Sequence, residues 1–235
     1  MRVVGVLQAR TGSRRYPGKV LAPIAGRPLL ERLLERLRWS KRMDALAVAT
    51  STLPGDDSIE ALCRGMGVTV HRGSESDVLQ RMLDCAENLK ADVVVRLAAD
   101  NPLVDGVLVD RMLDEFLPRI PPLVYAQTVD GSGYPIGLSC EAITIEGLRI
   151  AAKSDDPFDR EHVTAHVRYR GHLYPNVVAK SPRDFGHVSL TVDTPEDYGR
   201  VRELFETLYQ RNVRFGPDDV LAELAHRAAD ESRQP

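Results

Sequence analysis

The chain has 235 residues, of which 43% are hydrophobic and 28% charged, and its net charge is -3. That balance excludes disordered and fibrous classes and suits a single α/β domain, 1–235. No overall basic excess supports a nucleic-acid partner, and no apolar run reaches the roughly 18 residues that a bilayer needs. Cys63, Cys85 and Cys140 lie far apart without metal-ligand spacing, so they read as structural thiols of a cytoplasmic protein. The apolar stretch after Met1-Arg2 is too short for a signal peptide.

Val3 to Leu7 is an apolar run of strand length. It opens into a loop that holds Gly12, Gly18, Arg10, Arg14, Arg15 and Lys19, followed by a brief strand pattern at Val20-Leu21. From Pro28 to Arg38, Leu29, Leu30, Leu33, Leu34 and Leu37 form the apolar stripe of a helix. Ala45 to Thr50 reads as a second buried strand; a polar loop through Asp57 then caps a helix beginning near Ser58. Gly67 ends that helix, Val68 to Arg72 is a third strand, and a helix follows through Val78, Leu79, Met82, Leu83 and Ala86. Asp92 to Leu97 is a fourth strand. This βα alternation with short connections predicts a mostly parallel sheet with helices on both faces.

A helix is expected from Asp105 to Phe116, after which Pro118, Pro121 and Pro122 break the pattern. Strands are expected at Leu123 to Thr128, Leu138 to Ile145, Leu173 to Ala179 and Val188 to Val192. Helices are expected at Glu146 to Lys153, Arg160 to Arg168, about Pro195 to Gln210, and from Pro217 onward. Residues 118–170 read as an insertion that carries part of a substrate site and a subunit contact.

Basic side chains on a Gly-containing loop at the end of a buried strand suit a polyphosphate, because backbone N–H groups approach closely and the cations offset its charge. A solvated basic loop is the alternative; its place at the carboxyl end of a central strand favours the ligand. Three further segments should converge there: Arg72-Gly73-Ser74 with Asp77, Arg96 to Leu103, and Leu190 to Asp197. Asp100 and Asp193 each stand where a buried strand gives way to a Pro-containing turn. Two such carboxylates facing a polyphosphate make a Mg²⁺ site. Equally, each Asp could serve its own turn, although Thr194 as N-cap and Pro195 at the first helical position leave Asp193 without a capping duty.

The run Leu7-Gln8-Ala9-Arg10-Thr11-Gly12-Ser13-Arg14 with Pro17-Gly18-Lys19 resembles the opening of the spore coat polysaccharide biosynthesis protein F group, within the cytidylyltransferase superfamily. The resemblance continues in order through Asp56-Asp57, Arg72-Gly73-Ser74, Asp77-Val78-Leu79, Arg96, Asp100, Pro102-Leu103, Asp159 to Thr164 and Thr191 to Asp197. It implies a Rossmann-like nucleotidyltransferase fold and transfer of CMP from CTP to a small sugar, for surface polysaccharide or glycan synthesis. Arg10, Gly12, Ser13, Arg14 and Lys19 would wrap the triphosphate; Leu7, Ala9 and the segment with Arg72, Ser74 and Asp77 would hold the cytosine. Asp100 and Asp193 would bind Mg²⁺, and with Arg10 and Lys19 they make up the expected catalytic set. Arg96, Asn101, Tyr134, Glu141, Arg160 and His162 would form the acceptor site, and its arginines point to an acidic sugar. The resemblance also implies a homodimer.

Two departures stand out. Ala99-Asp100-Asn101-Pro102 replaces the group's Gly-Asp-Cys-Pro but keeps the carboxylate and the proline. Pro135-Ile136-Gly137 replaces its Pro-Asp-Gly, which removes a carboxylate from the sugar side. A metal-dependent glycosyltransferase and a non-catalytic nucleotide-binding protein are the alternative readings. The lack of a second Asp two residues from Asp100 counts against the former.

Overall fold

The strand β1, Val3–Gln8, is buried from Val3 to Leu7, as a strand covered on both faces must be. The computed structural model describes residues 1–231. In it β1 pairs in parallel with β4, Ala45–Ser51, on one side and with β6, Val93–Ala98, on the other. Outside β4 lies β5, Thr69–Gly73, also parallel. Beyond β6 come β8, Glu141–Thr144, then β7, Tyr125–Gln127, and β9, Asn176–Val178. Within this seven-stranded sheet, β8 alone runs against the other strands. A short hairpin, β2 at Pro23–Ile24 and β3 at Arg27–Pro28, precedes the first helix.

Helices cover both faces. Apolar residues of α1 (Leu29–Leu37), α2 (Asp57–Gly65), α4 (Gly106–Phe116), α8 (Pro195–Arg211) and α9 (Pro217–Glu231) build one core against Leu7, Val95 and Leu97. Those of α3 (Val78–Asn88) and α5 (Ile145–Ala151) build the other against Val4, Val6 and Val94. Alternation along β1 and β6 decides which residue serves which core. The α/β fold with a mostly parallel sheet is as the sequence predicts. Among the described residues, no helix is long and apolar enough to cross a membrane.

Several elements differ from expectation. Val20-Leu21 lies in a 3₁₀ turn, Lys19–Leu21, because the loop closes on itself through Leu21 N–H to Gly18 O at 2.9 Å. Residues Val188 to Val192 form no strand; one bridge joins Ile136 to Ser189, and Val192 N–H donates to Asp100 O at 2.8 Å. The helix expected over Arg160 to Arg168 is two, α6 at Pro157–His162 and α7 at Ala165–Arg168, broken at Val163 with φ 58°. Residues 118–170 supply β7 and β8 to the central sheet itself, and β8 pairs directly with β6.

Candidate active site

The basic loop leaves the end of β1 and is anchored by a residue far away in sequence. The Asp56 carboxylate, 2% exposed, accepts from Thr11 N–H at 2.7 Å and Thr11 Oγ1 at 2.8 Å. Its other oxygen accepts from Ser51 N–H at 3.2 Å and from the Ser51 hydroxyl. Burial pushes the Asp56 carboxyl up, but these hydrogen bonds outweigh it and hold the group below the usual carboxylate range. Thr11 O then accepts from Ser13 N–H and Gly18 N–H, each at 2.9 Å, and folds the loop back on itself. Gly18 has φ 73°, a conformation open to glycine at little cost. The loop therefore presents Arg10, Gly12 and Arg14 to solvent while turning Lys19 inward.

Lys19 is 7% exposed, and its ammonium is the hub of the site. It donates to Val192 O at 2.6 Å, Asp193 Oδ1 at 3.1 Å and Asp100 Oδ2 at 3.2 Å. Arg15 pairs with Asp193 Oδ2 at 2.8 Å. Asp100 follows β6 and Asp193 precedes α8, two segments stitched by Val192 N–H to Asp100 O and by Thr191 Oγ1 to Asn101 Oδ1 at 3.0 Å. At the α8 start Thr194 and Asp197 cap each other: Asp197 N–H donates to Thr194 Oγ1 at 3.2 Å, and Thr194 N–H to Asp197 Oδ2 at 3.0 Å. The expected division of labour at Asp193-Thr194-Pro195 is thus present, with Asp193 facing Lys19 instead of capping.

The lysine answers whether the residues fit a metal ion. One cationic centre sits about equally far from a carboxylate oxygen of each Asp, with a third oxygen beside it. An all-oxygen donor set suits a hard cation such as Mg²⁺. Among the described residues, no group of three or more His, Cys, Asp and Glu side chains could hold a metal ion. Two carboxylates need phosphate oxygens to complete such a shell.

The expected cytosine segment is partly differently used. Arg72 is committed elsewhere, to Asp57 at 2.6 Å, Glu60 at 2.8 Å, Ser51 O at 2.8 Å and Leu53 O at 2.8 Å. It ties the start of α2 to β4, so in this structure its guanidinium is a clamp, not an open nucleotide contact. Beneath Ser74 and Glu75 lies the buried Arg81, which donates to both carbonyls. Burial and the nearby Arg10 charge push its guanidinium down. Asp77 caps α3 through Gln80 N–H at 2.9 Å and pairs through its other oxygen with Arg160.

The expected acceptor residues divide. Arg96 and Glu141 lie opposite each other on β6 and β8 and form an ion pair. Glu141 is 3% exposed and also accepts from Tyr125 OH and from Thr164 Oγ1 at 2.6 Å. Burial pushes its carboxyl up, but the Arg96 charge and these hydroxyls outweigh that and hold it low. Glu141 therefore serves Arg96 and does not itself face solvent. The Arg96 Nε is buried without a partner, and Nη2 reaches Gln8 Oε1 only at 3.5 Å. Arg160 is spent on Asp77 and on Ala152 O at 2.8 Å. His162 is exposed and packs tilted against Phe158, ring centroids 4.3 Å apart and planes at 48°. Tyr134 is a correction: 4% exposed, it belongs to the core beneath α4, with its hydroxyl held by Arg111. An aromatic among glycines looks like a loop residue in sequence, but the loop folds inward.

Sequence reading gave no individual role to Asp56, Arg81 or Thr164, although Asp56 and Thr164 lie in stretches that carry the resemblance, and it counted Arg15 only among the cations of the basic loop. Asp56 looks like a helix-start residue, and nothing in the order of residues signals a bond to Thr11. Thr164 is brought to Glu141 by a γ-turn at Val163, φ 58° and ψ -65°, closed by Thr164 N–H to His162 O at 2.6 Å. A positive φ at a β-branched residue costs of order 1–3 kcal/mol, so the surroundings must enforce it.

Comparison with known proteins bears on the family and the fold. A family model described as cytidylyltransferase matches residues 4–215. The spore coat polysaccharide biosynthesis protein SpsF of Bacillus subtilis is 35% identical over 232 residues, 94% of this chain and 92% of that protein. A 3-deoxy-manno-octulosonate cytidylyltransferase of Bdellovibrio bacteriovorus is 37% identical over 120 residues, 50% of this chain and 47% of that protein. The solved structure of a cytidylyltransferase from Leptospira borgpetersenii superposes with a TM-score of 0.90 at 30% identity, covering 100% of this chain and 98% of that one.

Proposed function

The chain belongs to the cytidylyltransferase family, and from that premise we propose that it moves CMP from CTP onto a hydroxyl of a small acidic sugar, in the synthesis of a surface polysaccharide or glycan. One observation carries the reading: Asp100 and Asp193 converge on a single cation at the end of a buried strand, beside a loop of arginines. In the reaction the hydroxyl oxygen bonds to the α-phosphorus in line and gives up its proton to water, the bond from that phosphorus to the bridging oxygen breaks, and pyrophosphate leaves. Such a step needs positioning and charge stabilisation more than covalent help. Arg10, Arg14 and Lys19 stabilise the triphosphate and the departing pyrophosphate. Mg²⁺ bound by Asp100 and Asp193 would offset charge on the α-phosphate and help orient the nucleophile. The backbone of Gly12 and Ser13 lies in the same loop and suits close approach to phosphate.

The acidic class of the acceptor rests on Arg96. Its unpartnered buried Nε and weakly held Nη2 leave donors to spare beside Gln8, which suits a carboxylate. The name of the relative that acts on 3-deoxy-manno-octulosonate, itself a sugar acid, points the same way. Exposed Phe158, Tyr169 and Leu173 support a homodimer contact through the α6–α7 segment, and the buried, unpaired thiols support a reducing cytoplasm.

The test is pyrophosphate release from each of the four nucleoside triphosphates with Mg²⁺, against acidic and neutral sugars. CTP-selective release that needs an acid sugar is expected, and Asp193→Asn should lower turnover by about 10²-fold or more with the fold intact. Hydrolysis of a nucleotide-sugar donor, with no triphosphate used, would overturn the proposal in favour of a glycosyltransferase.

A further inference from the structure

The carboxylate pair is already neutralised by the chain's own cations. All three ammonium hydrogens of Lys19 are taken, by Val192 O, Asp193 Oδ1 and Asp100 Oδ2. Arg15 holds the remaining oxygen of Asp193 at 2.8 Å. Two negative charges thus face two positive ones, and Lys19 stands where a shared cation would stand. We propose that Lys19 is the resident counter-ion of this pair, and that a divalent cation enters only together with the nucleoside triphosphate, which draws Lys19 and Arg15 off the carboxylates. The inference rests on the reading of Asp100 and Asp193 as cation ligands.

The charges balance on both sides of the exchange. Before it, two side-chain cations lie on two carboxylates. After it, those cations lie on the triphosphate, and the divalent ion bridges carboxylates and phosphate. A divalent ion alone would have to push the ammonium off both carboxylates and leave it only Val192 O, which is costly for a lysine as buried as this one. Among the described residues it would find no third carboxylate, imidazole or thiolate to make up the loss. The triphosphate supplies both missing parts, oxygen ligands for the ion and acceptors for Lys19. The two cations are also suitably mounted. Arg15 is largely exposed on the loop, and Lys19 follows Gly18 on a flexible four-carbon stem. Their attachment to one loop makes their release a single local event.

The experiment is Mn²⁺ binding read by the EPR signal of the free ion, in wild type, Lys19→Ala and Arg15→Ala. Each protein is titrated without nucleotide and with saturating CTP, with Mn²⁺–CTP alone as the blank and circular dichroism as the check on folding. In wild type, CTP should tighten Mn²⁺ binding by at least about tenfold. Without nucleotide, Lys19→Ala should bind Mn²⁺ at least about tenfold more tightly than wild type, since a like charge about 3 Å from both ligands is gone. Arg15→Ala should gain less, because its pair is open to solvent. A folded Lys19→Ala protein with no gain in nucleotide-free affinity would overturn the exchange. So would wild type that binds Mn²⁺ equally well with and without CTP; that comparison decides even if Lys19→Ala does not fold. If CTP binds but Mn²⁺ binds in no state of any of the three proteins, the cation reading of Asp100 and Asp193 falls as well.

Discussion

Asp56→Asn tests how the phosphate-facing loop is held. The carboxylate takes four hydrogen bonds, two from Thr11 and two from Ser51. Bonds to a charged acceptor contribute about 1.5–3 kcal/mol each. The amide keeps one oxygen for one pair of donors and turns an NH₂ donor toward the other pair. A hydroxyl there can rotate to accept, but the backbone N–H cannot, and an unpaired buried N–H costs about 1–3 kcal/mol. With the weaker pull on the remaining pair, the expected loss is about 2–4 kcal/mol. In a chain of this size that is about 4–16 °C in Tm. Urea unfolding at neutral pH measures it. The pH dependence gives a second arm. Because the folded carboxyl lies below its ordinary value, its contribution is present above the ordinary pKa of about 4 and is lost as pH falls through the lowered value. The gap between wild type and variant should therefore close in acid. A variant within about 0.5 kcal/mol of wild type at neutral pH would refute the reasoning. So would a gap that stays constant down to about pH 2.

Glu141→Gln should cost about 3–5 kcal/mol in urea unfolding, since Arg96 and Arg168 lose their buried carboxylate; Thr164→Val should cost about 1 kcal/mol. Gly137→Ala should destabilise by about 2–4 kcal/mol in thermal unfolding. Gly137 has φ 106°, and a Cβ there would lie 2.5 Å from Leu190 C, just before the segment that delivers Asp193. The same variant should weaken Mn²⁺ binding in the presence of CTP, and unchanged binding would show that this crossing does not set the carboxylate.

Much of the architecture was legible in the residue order because its signals are local. The buried runs at Val3 to Leu7 and Asp92 to Leu97, and the leucine stripe of α1, announce strands and a helix through their periodicity alone. The helix start at Thr194 and Pro195 is equally local, which is why the sequence alone singles out Asp193. The basic loop and Asp100 were legible for the same reason, each following a strand that the sequence states; Asp193 was legible only from the helix start that follows it, since the strand expected before it does not form.

What tertiary structure decided is who meets whom. Lys19 and Asp193 are 174 positions apart, and their contact depends on α8 docking against the β2–β3 hairpin that follows the basic loop, through Tyr198 OH to Pro23 O and Ala25 N–H to Glu206 Oε1. Arg96 and Glu141 oppose each other only because β8 enters the sheet next to β6, against the direction of its neighbours. That pairing turned Glu141 from an expected sugar contact into the support of Arg96. Likewise Arg72 and Arg160 read as free cations in the sequence, and the fold spends both on carboxylates. Periodicity and capping are set by neighbours within a turn or two. Charge pairing in a folded chain is set by distances that only the closed sheet and its covering helices fix.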